Sequence, residues 1–335
     1  MRDRVHDPNE QEKARCSLFV RRIYCLLVFW FLQLMQAKSC AVYPLQFAGG
    51  TLGIYDQKPR RFFAPLIEDD LVKPSCRVYC AGFELGVWRS AGYADHLMEW
   101  LPDYALAEEE LRVDHGNMYV RMRQAAIRVY TSKKYEKRGE VGEITLHAVC
   151  RDFFGTVPIS NRVFYKSSSN DVVKAFDMVH ARLPDGGPVE IWLGESKLYT
   201  EPMAGVDEAI RSMKAHLDAG FLRNEKMLLG PQIPKSTPRY AELMALFESQ
   251  ASLDSLIANA IFVVLVAADS PAAQKATAQS PEYVQELTAE MASQVEKYAK
   301  ETDFANLRVM AIFVPLAAKK LLVDSFDAKL KGIQA

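Results

Sequence analysis

Residues 174–199 read KAFDMVHARLPDGGPVEIWLGESKLY, and the fold turns on this stretch. Two strand-like arms, Lys174–Leu183 and Val189–Tyr199, flank Pro184-Asp185-Gly186-Gly187-Pro188. Five consecutive turn formers between two such arms predict an antiparallel hairpin. A hairpin symmetric about Gly186 sets Asp177 directly opposite Glu195 on one face, with Cβ atoms about 5 Å apart. Side chains alternate along a strand, so Lys197 shares the face of Glu195. Two facing carboxylates repel unless something cationic lies between them.

Outward from the hairpin, helical and strand periods alternate. Upstream, Glu140–Phe154 predicts a helix with Ile144, Leu146, Val149, Phe153 and Phe154 on its apolar side, and Val163–Lys166 a short strand. Downstream, Val206, Ile210, Met213 and Leu217 recur at helical spacing over Val206–Leu217. Tyr240–Phe247 reads as a helix, and the apolar run Ala260–Ala267 as a buried strand. Ser280-Pro281 opens a helix in N-cap and N1 order, with Val284, Leu287, Met291, Val295 and Tyr298 on one face. Leu307–Leu316 is a second buried strand, and Lys319–Leu330 a closing helix. The pattern predicts an α/β protein, a central mixed sheet with flanking helices.

The chain start is different in character. Residues 43–110 are aromatic and loop-rich, punctuated by Pro44, Pro59, Pro65, Pro74 and Pro102, with a strand candidate at Arg77–Phe83 and a helix near Tyr93–Leu101. Gly49-Gly50 and Gly53 lack the Lys-Ser/Thr of a phosphate loop. Before them, Arg21-Arg22 precede an apolar run from Ile23 to Leu32, too short for a comfortable membrane span. Its shape is that of a secretory signal, ending in small residues around Ala37, Ser39 and Ala41. The alternatives are a start placed too far upstream, with translation beginning near Met35 or later, and a peripheral docking helix. The expected organisation is a leader or extension over 1–42, a smaller N-terminal region over 43–110 and the main domain over 111–335. A cytoplasmic location is expected, with export as the minor alternative.

The length of 335 residues suits one large domain or two modest ones. With 49% hydrophobic and 25% charged residues, a disordered or fibrous chain is excluded. A net charge of −1 argues against a generally basic nucleic-acid coat protein. It leaves room for a local basic rim. Between Leu111 and Arg138, eight basic residues (Arg112, Arg121, Arg123, Arg128, Lys133, Lys134, Lys137, Arg138) face only Asp114 and Glu136. Such a run is a solvated face or a phosphate-contacting edge. The six cysteines are scattered, which suits reduced thiols better than a disulfide framework or a zinc site.

Paired carboxylates beside an ammonium are the minimal equipment for metal-assisted phosphodiester hydrolysis. Asp177 and Glu195 are hard oxygen ligands suited to Mg²⁺ or Mn²⁺. Lys197 would hold the attacking water and offset charge building on the phosphate. Glu143 would complete the ligand set if its helix packs against the hairpin. An acidic residue two before a lysine also occurs at Asp56/Lys58 and Asp327/Lys329, but only Glu195 follows an apolar strand run, Ile191-Trp192-Leu193. The plain alternative is a surface ladder of Asp177, Glu195 and Lys197, an ordinary ion pair worth little. His180 falls on the opposite face and reads as a hydrogen-bonded support residue. Lys174 points away as well. Lys166, Lys174, Arg211 and Lys214 are candidate DNA contacts, each with a solvated side chain as the alternative. His147 shares a helix face with Glu143 but lacks a third group, and Cys150 has no persuasive nucleophile setting.

Several segments carry a resemblance: Glu143, Tyr165-Lys166-Ser167, Lys174-Ala175-Phe176-Asp177-Met178-Val179-His180 and Gly194-Glu195-Ser196-Lys197-Leu198-Tyr199. Together they resemble the HamA family, the nuclease subunit of the Hachiman anti-phage defence system, which is similar to the PD-(D/E)xK nucleases. The likeness runs from about Leu111 to the C-terminus. Ala175 stands where the family usually carries glycine. The resemblance implies a PD-(D/E)xK-like core and DNA cleavage beside a HamB-like superfamily 2 helicase. It also implies metal ligation by Asp177 and Glu195, catalysis by Lys197, and Glu143 as the helix carboxylate. Two other function classes stay open: a non-catalytic adaptor regulating a defence helicase, and an exported protein whose mature chain begins near Ala41.

Overall fold

The computed structural model describes residues 54–70, 74–129, 139–160, 176–301 and 307–334. The chain divides into two units, Met1–Thr51 and Leu52–Ala335, and every described residue belongs to the second. The leader 1–42 and the strand expected at Val163–Lys166 lie outside the described residues.

The elements run β1 (Ala64–Asp69), β2 (Ser75–Cys80), the small hairpin β3 (Phe83–Glu84) and β4 (Val87–Trp88), α1 (Ser90–Ala105), α2 (Met118–Val129) and α3 (Glu140–Phe154). Then come β5 (Val157–Ser160), β6 (Met178–Arg182), β7 (Glu190–Tyr199), α4 (Pro202–His216), α5 (Ala219–Leu229), α6 (Tyr240–Phe247) and α7 (Leu253–Asn259). The chain closes with β8 (Ala260–Asp269), α8 (Pro271–Lys275), α9 (Pro281–Glu301), β9 (Val309–Leu316) and α10 (Lys319–Gln334). Among the described residues, seven strands form one mixed sheet in the order β1-β2-β9-β8-β7-β6-β5. Its centre, β2, β9, β8 and β7, is parallel, while β1, β6 and β5 pair antiparallel.

Strand β8 shows why the sheet sits where it does. It carries no polar residue before Asp269, because both of its faces are covered. Phe262, Val264 and Val266 enter one core with Val206, Ile210 and Met213 of α4 and Leu287, Met291 and Tyr298 of α9. Val263, Leu265 and Ala267 enter the other with Leu97 and Leu101 of α1, Ile144 and Val149 of α3, and Phe326 of α10. Each fully buried Val, Leu, Ile, Phe or Met side chain among these contributes roughly 1.5–3 kcal/mol. The fold is therefore three layers, helix–sheet–helix, as the sequence period predicts.

The hairpin register matches the one set by the turn: Met178 pairs with Gly194, Val179 with Leu193 and His180 with Trp192. The first arm is shorter than expected, since β6 begins at Met178. The described part of the region 43–110 supplies α1, the edge strand β1 and its neighbour β2, within the unit from Leu52 onward. Strand β1 escaped the sequence reading because Pro65 interrupts it; at a sheet edge the missing N–H is tolerated, and the register shifts between Pro65 and Ile67. Helix α2 escaped because it leaves Met118, Tyr119, Val120 and Ile127 exposed, which blurs its apolar period.

Candidate functional site

Strand β7 presents different residues to the two helical layers. Ile191 and Leu193 face α4, and Glu195 and Lys197 continue that alternation. Trp192 and Leu198 face α3, and Gly194 and Ser196 lie with them. A Cβ at Gly194 would stand 2.8 Å from Leu146 Cδ2 of α3 and 2.9 Å from Met178 Cε, so a side chain there would push both aside. One turn earlier, a Cβ at Gly142 would stand 3.3 Å from Ser196 Oγ. Helix α3 thus packs closely on β7, as the Glu143 reading required.

On the α4 side, Glu195 is 6% exposed. Its Oε1 accepts from Lys197 Nζ at 2.6 Å and from Ser212 Oγ of α4 at 2.8 Å. Its buried Oε2 has no hydrogen bond, and His216 Nδ1 faces it at 3.5 Å. Burial works to lower the Lys197 pKa, but the charges of Glu195, Asp177 and Glu208 together with the Glu195 hydrogen bond outweigh it, holding the amine above its ordinary value. Lys197 is therefore an ammonium at neutral pH. His216 is clasped between Phe176 and Phe221, ring centroids 4.7 and 4.6 Å away. Phe176 in turn donates its backbone N–H to the buried Glu225 of α5.

Asp177 differs from expectation. The β6–β7 ladder ends at the Met178–Gly194 pair, one residue short of Asp177, so the two carboxylates do not form a cross-strand pair. Asp177 Oδ2 instead accepts from the Ser196 backbone N–H and from Ser196 Oγ, each at 2.9 Å. Two facing anions would repel, and where β6 stops the Ser196 N–H needs an acceptor. The buried Asp177 carboxylate meets both demands at the edge of β7. Its charge still acts on Lys197.

Behind Asp177 lies a polar network on the α3 side. Asp177, Tyr104, His147 and His180 border a cavity of about 10 Å³, of the size that admits one water. The Tyr104 hydroxyl donates to Glu143 Oε2. His147 contacts Asp103 Oδ1 at 2.7 Å and His180 Nε2 at 3.1 Å, and His180 Nδ1 meets Thr156 Oγ1 at 2.8 Å. Arg151 binds Asp103, the Thr156 carbonyl and the Tyr55 carbonyl. Burial, then the charges of His147 and Arg151, hold the His180 pKa well below the usual imidazole range. His180 is thus the support residue the sequence suggested. His147 pairs with Asp103 and His180, not with Glu143.

The other candidates fall as follows. Arg211 and Lys214 lie on the exposed side of α4, with Arg211 paired to Glu208. Lys166 and Lys174 lie outside the described residues. Cys150 is a free thiol that burial holds far above the range of a reactive cysteine. Among the described residues no three His, Cys, Asp or Glu side chains converge on a metal position, so Glu143 does not close a cage with Asp177 and Glu195. The remaining donors still suit a hard divalent cation. Mg²⁺ needs only one or two carboxylates beside water and phosphate oxygens, and Glu195 Oε2 is a buried carboxylate oxygen without a hydrogen bond. Sequence reasoning missed Ser196, Ser212 and His216. The first is the middle residue of Glu195-Ser196-Lys197; the other two stand four apart on the next helix, on one face.

Among the described residues no helix is long and apolar enough to cross a membrane. No curated protein matches the chain. The family model that matches it, over residues 61–330, is HamA.

Proposed function

The chain belongs to the HamA family and so to the Hachiman defence system, and from that premise we propose that it is a metal-dependent DNA nuclease with a PD-(D/E)xK-type core, working beside a HamB-like superfamily 2 helicase. The observation that carries this reading is the pair of the buried Glu195 with the half-buried Lys197, with one carboxylate oxygen saturated and the other left without a hydrogen bond. An ion pair serving structure alone is stable when its remaining lone pairs are satisfied; this one is not.

Asp177 and Glu195 would hold Mg²⁺ or Mn²⁺, which when bound polarises a phosphate and acidifies water. Ser196 holds Asp177 through two hydrogen bonds, so that carboxylate is oriented before any substrate arrives. Glu195 Oε1 keeps Lys197 charged and aimed. The Lys197 ammonium then orients the attacking water and stabilises negative charge growing on the scissile phosphate. Basic side chains on α2 and α4, such as Arg123 and Lys214, are exposed and available to duplex phosphates.

The test is plasmid cleavage by the purified full chain, with and without Mg²⁺. Cleavage that requires the metal, and that falls about a thousandfold in Glu195→Gln and Lys197→Met, supports the reading. Undiminished cleavage in both variants overturns it. A chain that associates with a helicase yet cleaves nothing under any metal condition would be the adaptor.

A further inference from the structure

Glu195 is held by two donors of different kinds, and the second comes from a different element. Lys197 sits on the same strand, two residues away, and reaches Oε1 through a four-carbon stem with freely rotating donors. The terminal torsion of a glutamate is soft, so that contact alone leaves the carboxylate plane poorly defined. Ser212 supplies a second donor to the same oxygen from α4. Two contacts from two directions fix the plane.

Helix α4 is itself firmly placed. A Cβ at Gly205 would stand 3.0 Å from Val266 Cγ1 of β8, so the first turn of α4 lies tight on the sheet. Val206, Ala209, Ile210 and Met213 then bury its inner face. Ser212 and His216 share a helix face and bracket Glu195, one at each oxygen. A serine hydroxyl is a neutral donor: it orients the carboxylate without adding to the charge balance with Lys197.

We propose that Ser212 is a positioning residue that gives the two Glu195 oxygens separate tasks, locking Oε1 to Lys197 and leaving the buried Oε2, which accepts no hydrogen bond, as the cation-binding oxygen. This rests on the reading of Asp177 and Glu195 as metal ligands. The sequence pattern that goes with it is Glu-x-Lys on a strand followed by Ser-x-x-x-His on the next helix, here Glu195-Ser196-Lys197 and Ser212-Met213-Lys214-Ala215-His216.

The experiment is Mn²⁺ titration of the full chain, followed through the electron paramagnetic resonance of the free ion, with thermal melts of each variant alongside. Ser212→Ala is expected to weaken Mn²⁺ binding about tenfold or more, as loss of an orienting partner does, with an unchanged melting temperature. Ser212→Thr, which keeps the hydroxyl, is expected to return affinity to within about threefold of the starting chain. Glu195→Gln is expected to abolish binding at this site. If Ser212→Ala binds Mn²⁺ like the starting chain while Glu195→Gln does not, the role of Ser212 is overturned and the metal reading stands. If Ser212→Ala and Ser212→Thr weaken binding equally, or the melt drops with the affinity, the residue is structural and the proposal also fails. If Glu195→Gln binds as tightly as the starting chain, or the starting chain binds no Mn²⁺, the metal reading itself falls.

Discussion

The two sides of β7 carry polar clusters of opposite design. On the α3 side, Asp103, His147, His180, Thr156 and Arg151 are joined in a continuous chain of hydrogen bonds, with Asp103 accepting at both of its contacts. On the α4 side, Glu195 and Lys197 form a tight pair whose second carboxylate oxygen is buried without a hydrogen bond. A satisfied buried network rigidifies a core, whereas an unsatisfied one costs stability and calls for an explanation. On the proposed function, the contrast is that between a structural cluster and a catalytic one, although both contain the residue types that catalysis uses.

The largest effect on stability is expected where the satisfied network is cut. Asp103→Ala leaves the Arg151 guanidinium without its carboxylate and His147 without its acceptor, at a cost of about 3–5 kcal/mol. A denaturant titration that shows less than about 1 kcal/mol would mean that the α3-side network does not hold the core. The α4-side pair should behave differently. In the double variant Glu195→Gln/Lys197→Met no charge is stranded, so the change in stability is expected to stay within about 1 kcal/mol while cleavage is lost. A double variant that unfolds would move this pair into the structural class.

The smallest effect tests the support behind Asp177. Burial pushes the Glu225 carboxyl up to about 7, with the Phe176 N–H opposing. An acid whose folded pKa is raised has its full stability below the unfolded value. That stability is lost as pH rises from about 4.5 towards 7, because ionisation is costlier in the folded state. Glu225→Gln keeps an acceptor for Phe176 and removes the ionisation. Its melting temperature is expected to exceed that of the starting chain by about 2 °C at pH 8, with the gap closing towards pH 5. A constant gap across that range would show that Glu225 is not the titrating group.

Much of the hairpin was legible because its determinants are local. The Pro184–Pro188 turn sets the register, and that register brings Met178 to Gly194. Helix α3 was legible to its ends because Ile144, Leu146 and Val149 recur on one side and Gly155 closes it in a left-handed conformation. The partner of Asp177 was not legible. A period-2 rule extrapolates a strand beyond its true end, and the end of β6 is decided by which acceptor Ser196 finds. Ser212 and His216 were hidden for another reason: α4 reads simply as an amphipathic helix, and its small polar residues gain meaning only against Glu195.

From sequence alone came the α/β class, the hairpin and its register, the Glu195–Lys197 spacing on one strand, and the family likeness, because each rests on periodicity or on neighbours a few residues apart. Tertiary structure decided the rest: that Asp177 caps Ser196 at the sheet edge, that Tyr104 takes Glu143, and that α4 brings Ser212 and His216 to Glu195. These contacts join residues 17 to 39 positions apart. Their geometry depends on how closely helices approach the sheet, and that is set by packing at Gly142, Gly194 and Gly205, where no side chain stands in the way.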